Sequence, residues 1–510
     1  MQTIGAFVYC AYGEIFIHEI ITCFIRRCFT AFCICPNGIF SACCYIAIII
    51  YIRFRNSDAQ NSITARIFLW PRRIWHWRFL DIYISIHTYG NTNIFFAGLI
   101  TVLFVMILSV FIAVQSYCLK RYFPSEKSTT WLLAFPSTWV LSEWIRSWIL
   151  SGFPWLLLGQ SQTNSPLQGF SPIVGVYGVS FLVALSAALL FMILKLKRGL
   201  IWLSILLLIL IWTGGFYLSK VQWTTVSSNP IRVTLIQGDI PQSIKWSPKE
   251  AINALTRYEK LTQAQHWQNQ LIIWPETAVT LMLPDAVPLL GQIDKTAQQH
   301  QAAIITGIPI PQKDSSGNTN YYNGVIVLGN GNGQYFKRHL VPFGEYVPLE
   351  SLIRGLIGFF DLPMSDFSEG PDKQPLLNAV NLKIAPYVCY EIAYTNLLRD
   401  DLPEANLLVG ISNDTWFDHS AASAQQRQIS QFAAQSTRRY MLVATNSGQT
   451  VIINPNGQIQ SYIPSDEIGT LNGTVTGMTG TTPWIKLGNG PFIILFILIL
   501  FFIRPKKNKK

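Results

Sequence analysis

Hydrophobic positions along this chain change their period at about residue 222. From Ile82 to Leu119 no Asp, Glu, Lys or Arg occurs, and Asn93–Val114 is apolar enough to cross a bilayer as a helix. Further apolar runs follow at Trp131–Leu150, which contains Glu143 and Arg146, and at Pro172–Leu194, Gly199–Leu218 and Leu487–Ile503. Each approaches the roughly 20 residues that a helical span needs, the last being the shortest. Four such runs in series, punctuated by basic loops, predict a polytopic α-helical membrane domain rather than buried core helices. From Ile231 the pattern is different. Short β-branched runs occur at Ile231–Ile236, Leu271–Trp274, Ala303–Gly307, Gly324–Leu328, Leu382–Val388, Leu407–Ile411 and Met441–Thr445. Pro248–Asn269 has helical spacing, and Asn454-Pro-Asn-Gly457 reads as a hairpin turn between Thr450–Ile453 and Gln458–Tyr462. Alternating strands and helices predict an α/β sandwich.

Composition agrees with this division. Half of the 510 residues are hydrophobic and only 13% are charged, the balance of a membrane protein. The formal charge of +11 does not point to nucleic acid, because no basic stripe interleaved with aromatics occurs. The basic residues sit beside the apolar runs instead: Lys120, Arg121 and Lys127, then Lys195, Lys197 and Arg198, then the tail Arg504–Lys510. These loops are expected on the cytoplasmic side. Residues 82–221 are then the multi-span membrane domain, 222–486 an extracytoplasmic domain, and 487–510 a final span with a basic cytoplasmic tail.

Residues 1–81 do not fit this scheme. Of the nine cysteines, Cys10, Cys23, Cys28, Cys33, Cys35, Cys43 and Cys44 fall here, in spacings that suit neither a zinc site nor a disulfide framework. Histidine aside, every basic residue there is arginine, and the first lysine of the chain is Lys120. Back-translating Phe68–Asp81 and shifting by one nucleotide turns Trp70, Trp75 and Trp77 into glycine. It permits Phe-Tyr-Gly-Leu-Gly-Gly-Phe-Gly-Ile-Gly-Val-Ser-Trp-Ile, ordinary small-residue membrane sequence that runs on into Ile82. The expectation is that residues 1 to about 81 are translated out of frame in place of further membrane spans. The alternative is a divergent cysteine-rich membrane segment.

Candidate chemistry lies where strands end, the usual place for ligands in open α/β sheets. Cys389 follows Ile384–Val388, Glu276 follows Leu271–Trp274, and Lys337 follows Gln334–Phe336. A thiol needs a base or a positive neighbour to act as nucleophile. A glutamate takes the proton, and a lysine stabilises a developing oxyanion. A Cys–His pairing with His339 or His419 is the competing arrangement, though neither lies in a thiol-protease signature. No zinc motif, P-loop or dinucleotide fingerprint occurs, so neither a metal nor a cofactor is implied.

These motifs together resemble the apolipoprotein N-acyltransferase family, membrane-anchored members of the nitrilase or carbon–nitrogen hydrolase superfamily. The resemblance runs from about Ile82 to the C-terminus. It is carried by Gly152-Phe-Pro-Trp155, Gln237–Trp246, Ile273-Trp-Pro-Glu276, Lys337–Glu345, Val388-Cys-Tyr-Glu391 and Ser412-Asn-Asp-Thr-Trp-Phe417. It implies a nitrilase-like αββα sandwich with Glu276 as general base, Lys337 as oxyanion stabiliser and Cys389 as nucleophile. Glu345, Tyr390 and Glu391 match supporting positions. Trp155, Trp246, Asn323 and Arg354 match positions tied to substrate or loop function. The implied reaction passes an acyl chain from a membrane phospholipid through a cysteine thioester to the α-amine of a diacylglyceryl-cysteine apolipoprotein. The implied location is the periplasmic side of the bacterial inner membrane, in contact with membrane lipids. The apolar stretch Leu352–Pro363 reads as a membrane-dipping lid. Two other classes compete: a membrane-anchored amidase or nitrilase acting on a small amide, and a non-enzymatic membrane scaffold or transporter.

Overall fold

The computed structural model describes residues 93–195, 198–342, 344–346, 367–417 and 420–504. The proposed out-of-frame segment, the Leu352–Pro363 stretch with Arg354, and His419 lie outside these residues.

The membrane part begins with α1 (Ile94–Tyr122), whose Asn93 side chain caps the Phe95 amide. Its small and polar positions Thr101, Ser109, Gln115 and Ser116 turn inward. There Gln115 donates to Thr138 at 3.3 Å, and Ser142 reaches the Phe111 carbonyl at 3.2 Å, across to the next helix. That helix, α2 (Phe135–Arg146), continues a π-helical turn at Thr130–Ala134. It stops at Arg146 and gives way to turns in which Leu150 takes φ 62°. Trp131–Leu150 is therefore not one uninterrupted span. Its charges are used locally instead. Glu143 accepts from the Leu158 amide at 2.7 Å and from Trp139 at 3.1 Å, and Arg146 donates to the Trp155 carbonyl at 2.8 Å.

Helices α3 (Ser171–Lys195) and α4 (Arg198–Ser219) complete this part of the bundle. Three described helices are long and apolar enough to cross a membrane: Ile94–Tyr122, Pro166–Leu194 and Leu200–Ser219. Trp131 packs on Phe191 with ring centroids 6.3 Å apart, which places the loop after α1 and the C-terminal part of α3 at one end. At the other end Tyr177 donates to Ser147 at 2.7 Å, and Arg438 of the sheet-rich domain donates to the Ser219 carbonyl at 3.3 Å. The basic loop after α1, with Lys120, Arg121 and Lys127, thus lies away from the sheet-rich domain.

In chain order the strands are β1 (Thr224–Val226), β2 (Ile231–Gln237), β3 (Gln270–Ile273), β4 (Ala303–Lys313), β5 (Thr319–Gly329), β6 (Gly331–Asn332), β7 (Gln334–Phe336), β8 (Leu377–Ala379), β9 (Leu382–Val388), β10 (Leu407–Ser412), β11 (Met441–Thr445), β12 (Thr450–Ile453), β13 (Ile459–Ile463), β14 (Gly469–Val475) and β15 (Met478–Gly480). They form a six-stranded sheet ordered β14-β2-β3-β4-β5-β7, a seven-stranded sheet ordered β13-β12-β11-β10-β9-β8-β6, and a β1-β15 pair. Strands β2, β3 and β4 run parallel, as do β9, β10 and β11. The two larger sheets bury Leu235, Leu271, Ile273 and Ile305 against Ile384, Val388, Val409 and Ile411. The outer face of the first is covered by α5 (Pro248–Gln263) and α6 (Leu283–Gln299), through Leu255, Tyr258, Leu290 and Ile293. The outer face of the second is covered by α7 (Ala422–Thr437), through Ile429 and Ala433 on Leu408 and Met441. This is the expected αββα sandwich.

The expected helix Pro248–Asn269 ends at Gln263, because the chain loops back and Asn269 takes φ 51° before β3. The chain returns to the bundle through Trp484, which enters a kink of α3 at Gly175, where φ is 61°. A Cβ at Gly175 would collide with Trp484 Nε1. Gly488, at φ 70°, then separates Pro483–Leu487 from α8 (Gly490–Ile503). At about 1.5 Å per residue its 14 residues reach about 21 Å, so this apolar helix is shorter than the Leu487–Ile503 run expected as the final span. Phe496 stacks on Phe181 with centroids 4.8 Å apart, and Arg504 lies 4.9 Å from the Tyr122 ring.

Candidate active site

Glu276, Lys337 and Cys389 leave the carboxyl ends of β3, β7 and β9 and meet at one edge of the sandwich. Lys337 Nζ stands 3.5 Å from Glu276 Oε1 and 2.8 Å from each oxygen of Glu345. Asn323, opposite Pro309 in the β4–β5 ladder, donates to Glu276 Oε1 at 2.7 Å and to Glu345 Oε1 at 2.8 Å. Its Oδ1 is buried and has no hydrogen-bond partner among the described residues. The second Glu276 oxygen accepts from the Asn413 amide at 2.8 Å, and the second Glu345 oxygen accepts from the Val341 amide at 2.8 Å. Each carboxylate is thus held by a backbone N–H on one side and by Asn323 on the other.

Burial opposes the charge on Lys337, but Glu345, Glu276 and Cys389 outweigh it and hold the ammonium above its usual pKa. Cys389 is the reverse. Burial pushes its thiol up, Glu276 pushes it further, and Lys337 draws it down. A thiol with this balance stays protonated until a base removes the proton, after which the adjacent cation favours the thiolate.

Cys389 sits on a strained elbow. Strand β9 ends at Val388, Cys389 takes φ 55°, and a 3₁₀ turn runs through Ala393. A non-glycine residue in this region is uncommon and marks a conformation imposed by its surroundings. Glu391 imposes it. This fully buried carboxylate accepts from the Val388 amide at 2.8 Å, the Arg338 amide at 2.5 Å, the His339 amide at 3.2 Å and the Tyr335 hydroxyl at 2.9 Å. Burial raises its pKa, against the pull of the Val388 amide, Lys337, the Arg338 amide and Tyr335. One carboxylate therefore ties the elbow after β9 to the chain after β7, fixing Cys389 relative to Lys337. Arg338 extends the tie to Asp401 at 2.9 Å.

Tyr390 points to the membrane part. Its hydroxyl donates to the Gly152 carbonyl at 3.1 Å, and its ring stacks on Trp155 at 5.9 Å. Trp155 in turn donates to Gln425 of α7 at 2.6 Å. Trp246 ends the short helix Gln242–Lys245, and its buried Nε1 has no partner among the described residues. His339 stacks on Tyr394 at 4.0 Å. Three features escaped sequence reasoning. Lys245 is almost fully buried and donates to the Glu276 carbonyl at 3.3 Å. Asn413 acts through its backbone, which carries no side-chain signal. Ser412 and Asp414 belong to a quoted motif, but their mutual contact does not follow from spacing.

The chain matches two family models, the apolipoprotein N-acyltransferase N-terminal domain at residues 29–189 and carbon-nitrogen hydrolase at residues 232–483. The first match begins inside the cysteine-rich amino-terminal segment. An apolipoprotein N-acyltransferase of Pseudomonas syringae pv. tomato is 41% identical over 421 residues, 82% of this chain and 83% of that one. Its namesake in Coxiella burnetii is 40% identical over 427 residues, 82% of this chain and 87% of the relative. Among solved structures, the C. elegans NitFhit protein matches 49% of this chain and 61% of its own at 13% identity, with a TM-score of 0.36. A mutant amidase of Nesterenkonia sp. AN1 matches 53% of this chain and 98% of its own at 12% identity, also with a TM-score of 0.36. On the two family matches and the extent of these relatives, the chain belongs to the apolipoprotein N-acyltransferase family.

Proposed function

We propose that this protein transfers an acyl chain from a membrane phospholipid, through a thioester on Cys389, to the α-amine of an apolipoprotein's diacylglyceryl-cysteine. In the first half-reaction Glu276 takes the Cys389 thiol proton and the sulfur attacks the ester carbonyl. Lys337 stabilises the oxyanion as the carbonyl π-bond opens. The C–O bond then breaks, and Glu276 returns the proton to the departing lysophospholipid. In the second half-reaction the amine attacks the thioester, Glu276 accepts its proton, and Cys389 leaves and is reprotonated.

The observation that carries this reading is the contact between Tyr390, next to the nucleophile, and Gly152 and Trp155 of the membrane part. A thiol site built against the loop that follows α2 of the membrane part suits lipid-anchored donors and acceptors. A small amide needs no such placement. The elbow, the buried carboxylates and the lysine argue against a scaffold or transporter, which has no use for an activated thiol. The basic loop after α1 lies away from the catalytic domain, which supports a cytoplasmic position for it and a periplasmic position for Cys389 at the inner membrane. Domain limits of 82–221, 222–486 and 487–510 follow from the same reading. Incubating the protein with labelled phospholipid tests it: Cys389→Ala should form no thioester and acylate no apolipoprotein, whereas activity only on small amides would favour the amidase alternative.

A further inference from the structure

Ser412 and Asp414 lie against the nucleophile at the end of β10. Ile411 pairs with Val388 in the parallel β9–β10 ladder, so Ser412 and Cys389 leave neighbouring strands at the same level. The buried Ser412 hydroxyl is 2.5 Å from Asp414 Oδ1, and its proximity draws the pKa of the Cys389 thiol down. Asp414 is itself buried, and its Oδ2 accepts from Ser423 at 2.9 Å. The charged groups facing the pair are Glu276, on the loop after β3, and Cys389, itself facing Lys337. From α7 come Ser423 and Gln426, neither of which titrates. From the turn between β11 and β12 comes Gly448, where a Cβ would collide with Asp414 Oδ2.

A hydroxyl has one hydrogen to donate. With Asp414 ionised, that hydrogen goes to Oδ1, and Ser412 presents lone pairs to the Cys389 S–H. With Asp414 protonated, its O–H donates to Ser412, and the Ser412 hydrogen turns to the sulfur. Burial, helped by Glu276, raises Asp414 to about 6 against the Ser412 and Ser423 hydrogen bonds. A carboxylate in that range is a better-matched proton acceptor than an ordinary aspartate.

We propose that Cys389, Ser412 and Asp414 form a second proton path out of the nucleophile, additional to Glu276. The S–H bond breaks as an Oγ–H bond forms on Ser412. The original Ser412 O–H breaks as Asp414 Oδ1 gains its proton. Sulfur keeps the electron pair as a thiolate that the new Ser412 hydroxyl then donates to. Ser412 adjoins Cys389 across the β9–β10 ladder and would exchange the proton with the sulfur, and Asp414 is a positioning residue acting through it. This inference deepens the acyl-transfer reading and rests on Cys389 being its nucleophile.

The test is the rate of Cys389 alkylation by iodoacetamide from pH 5 to 9, on the full chain in detergent, read as mass gain on the Cys389 peptide. The wild type should show a rise near pH 6 as Asp414 ionises. Asp414→Asn and Ser412→Ala should each lose that rise and react roughly tenfold more slowly at pH 7. The double variant should be no slower than either single one, and Glu276→Gln should keep the rise. If Asp414→Asn is poorly folded, Ser412→Ala carries the same readout. A retained rise in Ser412→Ala, or single effects that multiply, overturns the relay. A wild type that forms no acyl mass on Cys389 from phospholipid defeats the acyl-transfer reading instead, so the two failures are separable.

Discussion

Lys337 binds Glu345 with both carboxylate oxygens at 2.8 Å, closer than its 3.5 Å approach to Glu276 Oε1. Glu345 therefore carries most of the lysine's charge pairing, and Glu276 is held less closely by the ammonium. Removing one partner of a buried pair costs about 3–5 kcal/mol. Glu345→Gln should lower the unfolding midpoint. It should also slow single-turnover thioester formation by roughly a hundredfold, since Lys337 then turns to the Glu276 carboxylate. Unchanged acylation kinetics in Glu345→Gln would show that Lys337 does not depend on it.

Asn323 spans the same two carboxylates through one amide nitrogen. Asn323→Asp replaces that double donor with a third negative group. It should reduce thioester formation more than Asn323→Ala, because like charges then share one buried site. The comparison is made on single-turnover acyl mass. Equal losses would mean that the amide only fills space.

Lys245 carries a pH signature. Burial lowers it from 10.5 to about 7, with Glu276 pulling the other way. Between those values the unfolded chain holds a proton that the folded chain has released, so this group's contribution to stability rises with pH across the window. Its cost is fully present below about 7. Lys245→Met should therefore raise the unfolding midpoint at pH 6, and the gain should shrink towards pH 10. A gain of the same size at both pH values would contradict the assignment.

Gly175→Ala tests the joint between the two parts of the molecule. The added methyl meets the Trp484 indole inside the kink of α3. Overpacking of this kind costs about 1–3 kcal/mol. The variant should unfold at lower temperature, and tryptophan fluorescence should report a displaced Trp484. Wild-type stability would mean that the kink relaxes freely.

Much of the site was legible because its groups interrupt apolar strands: Trp274-Pro-Glu276, Phe336-Lys337 and Val388-Cys389 each place one polar residue at a strand end. The ties between those groups were not. Asn413 contributes a backbone N–H, and the Ser412–Asp414 contact depends on Gly448 and Ser423 closing around it. In the fold, β9, β11 and β12 matched their apolar runs residue for residue. Strand β14 escaped notice because Gly469-Thr-Leu-Asn-Gly-Thr-Val475 reads as turn-forming. Its partner β2 supplies the burial that propensity lacks. The charges of Glu143 and Arg146 similarly marked a break in the second apolar run. They serve the Leu158 amide and the Trp155 carbonyl rather than a membrane crossing.

The reading of residues 1 to about 81 as out of frame makes its own prediction. Resequencing the gene should reveal an inserted or missing nucleotide close to the Trp70–Trp77 codons. An uninterrupted frame through codons 60–90 would sink that reading and leave a divergent amino-terminal segment.

The central claim is that Cys389 carries the acyl chain. The most direct measurement is the mass of the peptide containing Cys389 after incubation with phospholipid and before any apolipoprotein is added. The account predicts one added acyl group, labile to hydroxylamine, lost when acceptor is supplied and absent from Cys389→Ala. An unmodified peptide from protein that still acylates apolipoprotein would contradict it.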